Sequence, residues 1–204
     1  MKKISILIIA LLACIQLVKA QSYNKTHFSV NVGINGSQIT DNNDRSTDGV
    51  AGLNAGIAVD QYFSRNWSLN VGLNYQQKGY GNGFVVFDDG TELDGVDYRL
   101  NYLTVPVLAS LHFGYHRNWY VNFGPYVGFL LSASESSNSV FNAKSYFNTV
   151  DGGLAFNVGV KLPINRQTKF FIEAGGQGGV VNVYKDSDYS LQNVTTSLNV
   201  GIEF

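Results

Sequence analysis

The sequence predicts an all-β fold, a closed eight-stranded antiparallel transmembrane β-barrel, and three observations predict it. Apolar and polar residues alternate along almost every segment, the chain opens on a secretory signal, and short polar links alternate with long ones. Mean hydropathy is −0.02, and beyond the signal no run approaches the roughly 20 apolar residues of a membrane-crossing helix. Hydrophobicity near zero without a long apolar run is what alternation produces.

The signal is expected over residues 1–20, with the barrel domain over 21–204. Lys2 and Lys3 give a positive start, Ile4 to Ala13 an apolar stretch, and Val18-Lys19-Ala20 a small residue before a cut ahead of Gln21. The stretch Leu11-Leu12-Ala13-Cys14 also resembles a lipoprotein cleavage box with Cys14 as the lipidated residue, though Cys14 falls early. Cleavage at Ala20 removes the single cysteine and Lys2, Lys3 and Lys19. Eleven Lys and Arg then face 15 Asp and Glu, a net charge of about −4. That leaves no thiolate chemistry and no disulfide. An acidic balance also argues against a nucleic-acid partner, which needs clustered cations.

Strand one is placed at about 27–36. Strand two, at 51–62, is followed by a third at 67–78, where Trp67, Leu69, Val71, Leu73 and Tyr75 alternate with Ser68, Asn70, Gly72 and Asn74. Strand four is placed at 98–113 and strand five at 119–132. Strand six, at 153–163, sets Leu154, Phe156, Val158, Val160 and Leu162 against Ala155, Asn157, Gly159 and Lys161. Strand seven is placed at 169–183, taking in the glycine cluster Gly175-Gly176-Gln177-Gly178-Gly179, and strand eight at 194–204. Each is long enough for the ~9–11 residues of a tilted strand crossing a bilayer. The links at 63–66, 114–118 and 164–168 are short; those at 37–50, 79–97, 133–152 and 184–193 are long and polar, the pattern of periplasmic turns and external loops.

An internal repeat, apolar–Asn–apolar–Gly–apolar, occurs around Asn31/Gly33, Asn54/Gly56, Asn70/Gly72, Asn122/Gly124, Asn157/Gly159 and Asn199/Gly201, with Glu173/Gly175 as a variant. Asn and Gly share the face opposite the apolar one. In a narrow barrel that face points inward, and alternating a small residue with a larger polar one fills the lumen. A soluble sandwich would instead point the apolar face in, and would give the glycine no role. Pro106, inside strand four, is expected to mark a bulge, and Pro125 another.

Four stretches resemble the PorT-like outer-membrane β-barrel family. Tyr102-Leu103-Thr104-Val105-Pro106 is similar to its Tyr-Leu-x-x-Pro strand, and Gly124-Pro125-Tyr126 to its Gly-Pro-Tyr strand. Asp151-Gly152-Gly153 resembles the entry to strand six. The end, Leu198 to Phe204, resembles the terminal signal read by the barrel-assembly machinery, with Val200, Ile202 and Phe204 on one face. The resemblance spans the whole mature chain. It implies a place in the bacterial outer membrane and, through the family's namesake, a link to export of surface proteases by a secretion system.

Parity places Asp60, His112, Lys161, Glu173 and Glu203 in the lumen toward the short-turn end, where charges must pair. A structural carboxylate–lysine network is expected. Ion or proton passage is the alternative reading, and metal binding at His112 is disfavoured without a second spaced ligand. No Gly-x-Ser-x-Gly is present, and His27, His112 and His116 all lie at the short-turn end, so a non-catalytic chain without cofactor or metal is expected. In the second long link, Phe84 and Phe87 beside Asp88 and Asp89 could meet a cation, a basic protein surface or a sugar; the simpler reading is a hairpin extending above the membrane. The expected partners are the lipid bilayer, the barrel-assembly machinery and an unidentified surface or secretion partner, with the barrel itself a monomer. Two function classes follow: a membrane scaffold or surface-interaction protein, and a component linked to transport or secretion.

Overall fold

The computed structural model describes residues 25–41, 47–86, 92–135, 143–185 and 191–204. The strands are β1 (Lys25–Asp41), β2 (Asp48–Tyr62), β3 (Trp67–Val86), β4 (Glu92–Phe113), β5 (Trp119–Glu135), β6 (Val150–Pro163), β7 (Lys169–Gly179) and β8 (Leu191–Glu203). Each pairs antiparallel with its chain neighbour, and β1 pairs with β8 to close the barrel. Closure leaves no unpaired edge, which a strand in lipid cannot carry. The seam runs from Ser29↔Glu203 to Asp41↔Leu191, and reciprocal backbone bonds of 2.9 Å between Phe28 and Phe204 extend it by one residue.

Alternation sets the faces as expected. Val32, Ile34, Leu53, Ile57, Leu154 and Phe156 are exposed on the outer wall, and Tyr120, Tyr126, Leu130 and Phe171 are buried inside. Trp119, Phe113 and Phe204 are exposed at the short-turn end, as an aromatic girdle requires.

Three expectations are corrected. Hairpin β3–β4 runs far past 78 and 98, with Val86 opposite Glu92. On β4 the faces exchange character there: Tyr98, Leu100 and Tyr102 are buried inside while Asp97 and Arg99 are exposed outside. A strand with an apolar interior and a polar exterior has left the bilayer, so the sequence pattern ended where the lipid ends, not where the strand ends. Second, β7 stops at Gly179; residues 180–185 turn over the barrel mouth instead. Third, neither proline makes a bulge. Register is constant across Pro106 and Pro125; the shift lies between Asn101 and Tyr102, opposite Ser132 and Leu130. The pairs that would involve Val107, Leu108, Gly124 and Pro125 are simply missing from the β4–β5 ladder. Each proline's lost donor is absorbed by an interrupted ladder rather than an inserted residue.

The repeat has a cross-strand explanation. Asn31 stands opposite Gly56 and Gly201, Gly33 opposite Asn54 and Asn199, and Asn157 opposite Gly175. A Cβ on Gly33 would strike Asn199 Oδ1, and one on Gly175 would strike Asn157 Oδ1. Gly33, Gly56 and Gly175 make room for an amide of the neighbouring strand. Gly159 instead makes room for the Tyr120 ring, Gly201 for the Val30 carbonyl and the Phe171 ring, and Gly124 for the Val107–Leu108 backbone, while Gly72 lies against Pro106.

Candidate functional site

The lumen is stratified, and inward positions along the strands build each layer. At the short-turn end, Lys161 (β6) donates to Asp60 (β2) at 3.1 Å and to Glu203 (β8), and Lys169 reaches the other oxygen of Glu203 at 2.9 Å. Ser68 Oγ donates to Asp60 at 2.8 Å and lies 2.9 Å from His112 Nε2. With its single proton on Asp60, Ser68 accepts from Nε2–H, which leaves His112 Nδ1 to accept from Tyr62 OH at 3.4 Å. Lys161 Nζ also lies 5.0 Å from the Tyr120 ring centroid. Asp60, His112, Lys161 and Glu203 thus form one connected network.

Ser, His and Asp meet here in the wrong order for nucleophilic catalysis. Serine sits between histidine and aspartate, so the imidazole is not oriented by the carboxylate. Ser68 and His112 are also 0% and 1% exposed, out of reach of any substrate.

Glu173 (β7) stands apart from the ion pairs. Asn122 Nδ2 donates to it at 3.0 Å. It belongs to the next layer, where all six repeat asparagines and Glu173 line one polar cavity of about 70 Å³. That is room for about five waters. Strand β4 has no copy of the repeat and contributes Pro106 and Leu108 instead.

Sequence reasoning missed the layer above. Lys78 (β3) and Asp151 (β6) form a buried pair at 3.0 Å, with Tyr126 OH and Asn193 Nδ2 each 3.3 Å from the same carboxylate oxygen. The Lys78 ammonium sits 4.7 Å from the Tyr126 ring centroid and 5.4 Å from that of Tyr102. Lys78 was visible as an inward position at a strand end. Its partner fell in an assumed loop, so the pair was not.

At the long-loop end the mouth is filled by an apolar cluster of Ile39, Tyr80, Val96, Tyr98, Leu100, Leu130, Phe147 and Val183. Tyr80 stacks on Tyr98 at 5.0 Å, Phe147 meets Tyr98 at 5.7 Å and Tyr184 at 4.9 Å, and the Tyr80 and Tyr184 hydroxyls bond. Phe147 and Tyr184 form an isolated antiparallel bridge. Asn148 N–H donates to the Val183 carbonyl, and the Asn148 side-chain amide to the carbonyls of Asn182 and Tyr184. Segments 143–150 and 180–185 therefore dock together as a cap. Phe147→Ala is expected to destabilise the cap by about 3–5 kcal/mol. Limited proteolysis of intact barrels should then cut within 143–150 much faster than in the parent protein, and an unchanged rate would show that the cluster does not hold the cap.

Of the loop residues singled out in the sequence, Phe84 lies in β3, paired with Asp94; Phe87, Asp88 and Asp89 lie outside the described residues.

The family model for the outer membrane protein beta-barrel domain matches residues 19–185. Among solved structures, neisserial surface protein A is 13% identical, covering 87% of this chain and 97% of its own, with a TM-score of 0.51. The outer membrane protein OprG of Pseudomonas aeruginosa is 13% identical, covering 90% of this chain and 98% of its own, with a TM-score of 0.50. At that identity the likeness establishes the shared fold. No curated protein matches in sequence.

Proposed function

Because the chain belongs to the outer membrane protein beta-barrel domain family, we propose that it is a non-catalytic outer-membrane scaffold that works through its external surface. The observation that carries this reading is the closed lumen. Ion pairs fill one end, an aromatic cap fills the other, and the polar cavity between them measures about 70 Å³. What a partner can reach is the docked cap and the extended hairpins, where Tyr146 and Val180 are 52% and 68% exposed. Residues 1–20 serve as the cleaved signal, the barrel-assembly machinery inserts the chain as a monomer, and the short turns face the periplasm.

Replacing segments 143–149 and 180–185 by short turns tests this reading in a strain whose phenotype depends on the gene. The folded, heat-modifiable barrel should remain while the phenotype is lost. Retention of the phenotype would favour the second reading, a component linked to transport or secretion. The four PorT-like stretches support that alternative, and in it the wall or the periplasmic turns would carry the function.

A further inference from the structure

We propose that the middle layer of the lumen binds a single monovalent metal cation, held by Glu173 and the amide oxygens of Asn122 and Asn199. This lies beyond the scaffold role and does not depend on it.

The first observation is a charge imbalance. Among the described residues the inward carboxylates are Asp60, Asp151, Glu173 and Glu203, and the inward ammonium groups are Lys78, Lys161 and, at the rim, Lys169. Lys78 is taken by Asp151; Lys161 and Lys169 are taken by Asp60 and Glu203. One negative charge is left, and it belongs to Glu173, which no ammonium touches among the described residues. His27, 3.8 Å from Glu203, and His112 in the ion-pair layer are the remaining described groups that could add a positive charge, and an imidazole is neutral at pH 8.

The second observation is the direction of the amides. Asn122 turns its NH₂ group to the Glu173 carboxylate. An ionised carboxylate is acceptor-only and suits such donors. Asn122 Oδ1 and Asn199 Oδ1 are both buried without a protein partner. Asn122 is 5% exposed, and both residues line the same cavity as Glu173. Buried acceptors without donors are costly. Two free amide oxygens beside one carboxylate form an all-oxygen donor set, which selects hard cations, and the single excess charge selects a monovalent one. The cavity has room for the ion and a few waters to complete its shell.

The test uses the folded full-length mature barrel in lipid nanodiscs at pH 8. Its unfolding midpoint is read from the heat-modifiable gel band in sodium, potassium or choline chloride, and separately in calcium chloride, at equal ionic strength. Choline is too large for the cavity and controls for screening. Sodium or potassium should raise the midpoint by about 4 °C over choline, and E173Q should abolish that difference. Equal midpoints in all three salts would overturn the proposal, as would a rise with calcium chloride alone. An infrared readout on the parent protein stands even if E173Q fails to fold. A carboxylate band that moves between sodium and choline is expected; a protonated carboxylic-acid band in both salts would show that a proton, not a cation, neutralises the site.

Discussion

Replacing Lys161 by methionine is expected to destabilise the folded barrel by about 3–5 kcal/mol, because it strands buried charge. Asp60 and Glu203 are 7% and 2% exposed, and both lean on the Lys161 ammonium. Methionine keeps most of the side-chain volume, so lost packing contributes little. Urea unfolding in lipid should show the midpoint falling at an unchanged slope. Adding D60N and E203Q to the same variant should recover much of the loss, since neutral partners no longer need the ammonium. If the single variant stays within about 0.5 kcal/mol of the parent, as surface substitutions do, water rather than Lys161 neutralises these carboxylates.

Deleting Phe204 is expected to remove most of the folded, heat-modifiable protein from cells. Phe204 is 52% exposed on the outer wall, and its backbone exchanges two hydrogen bonds with Phe28 at the end of the closing seam. The ring alone is worth roughly 1.5–3 kcal/mol in contact with lipid, too little to unfold a closed barrel. The proposed role of Val200, Ile202 and Phe204 in assembly makes the effect kinetic: β8 must be recognised and paired with β1 before both edges disappear. Refolding of the purified chain in detergent should therefore suffer less than assembly in cells. Equal losses in both settings would reduce Phe204 to a packing residue.

The barrel itself was legible because period-two alternation is a physical demand of a wall with lipid on one side. That alternation, with strand direction, points Asp60, His112, Lys161, Glu173 and Glu203 inward at the short-turn end. Which four of them meet, and that Glu173 stands a layer apart, depends on cross-strand register. Legibility stops where the demand stops. Above Leu103 on β4 and Tyr75 on β3 the wall meets water outside and packs against its own cap inside, so the polar and apolar faces exchange. Read for lipid-facing alternation, the segment from Gly79 to Asp97 looks like a loop. The pairing of Lys78 with Asp151, and the meeting of Tyr80 and Tyr98 with Phe147 and Tyr184, depend on how two separate links fold over the mouth. No local pattern encodes that. The repeat was visible, but its reason lay across strands: Gly33, Gly56 and Gly175 answer an amide on the adjacent strand and Gly159 and Gly201 an aromatic ring, relations that one strand cannot display.

The central claim is that this lumen is closed and that function resides on the outside of the barrel. Planar-bilayer recording of the purified, folded protein tests it most directly. The ion-pair layer, the amide layer and the aromatic cap together predict a quiet bilayer, with at most brief, small events when the cap opens. An eight-stranded barrel encloses only enough space for its own side chains, so Phe147→Ala should make such events more frequent without enlarging them. Large, long-lived openings in the parent protein would contradict the account and make the lumen, not the surface, the working part of the molecule.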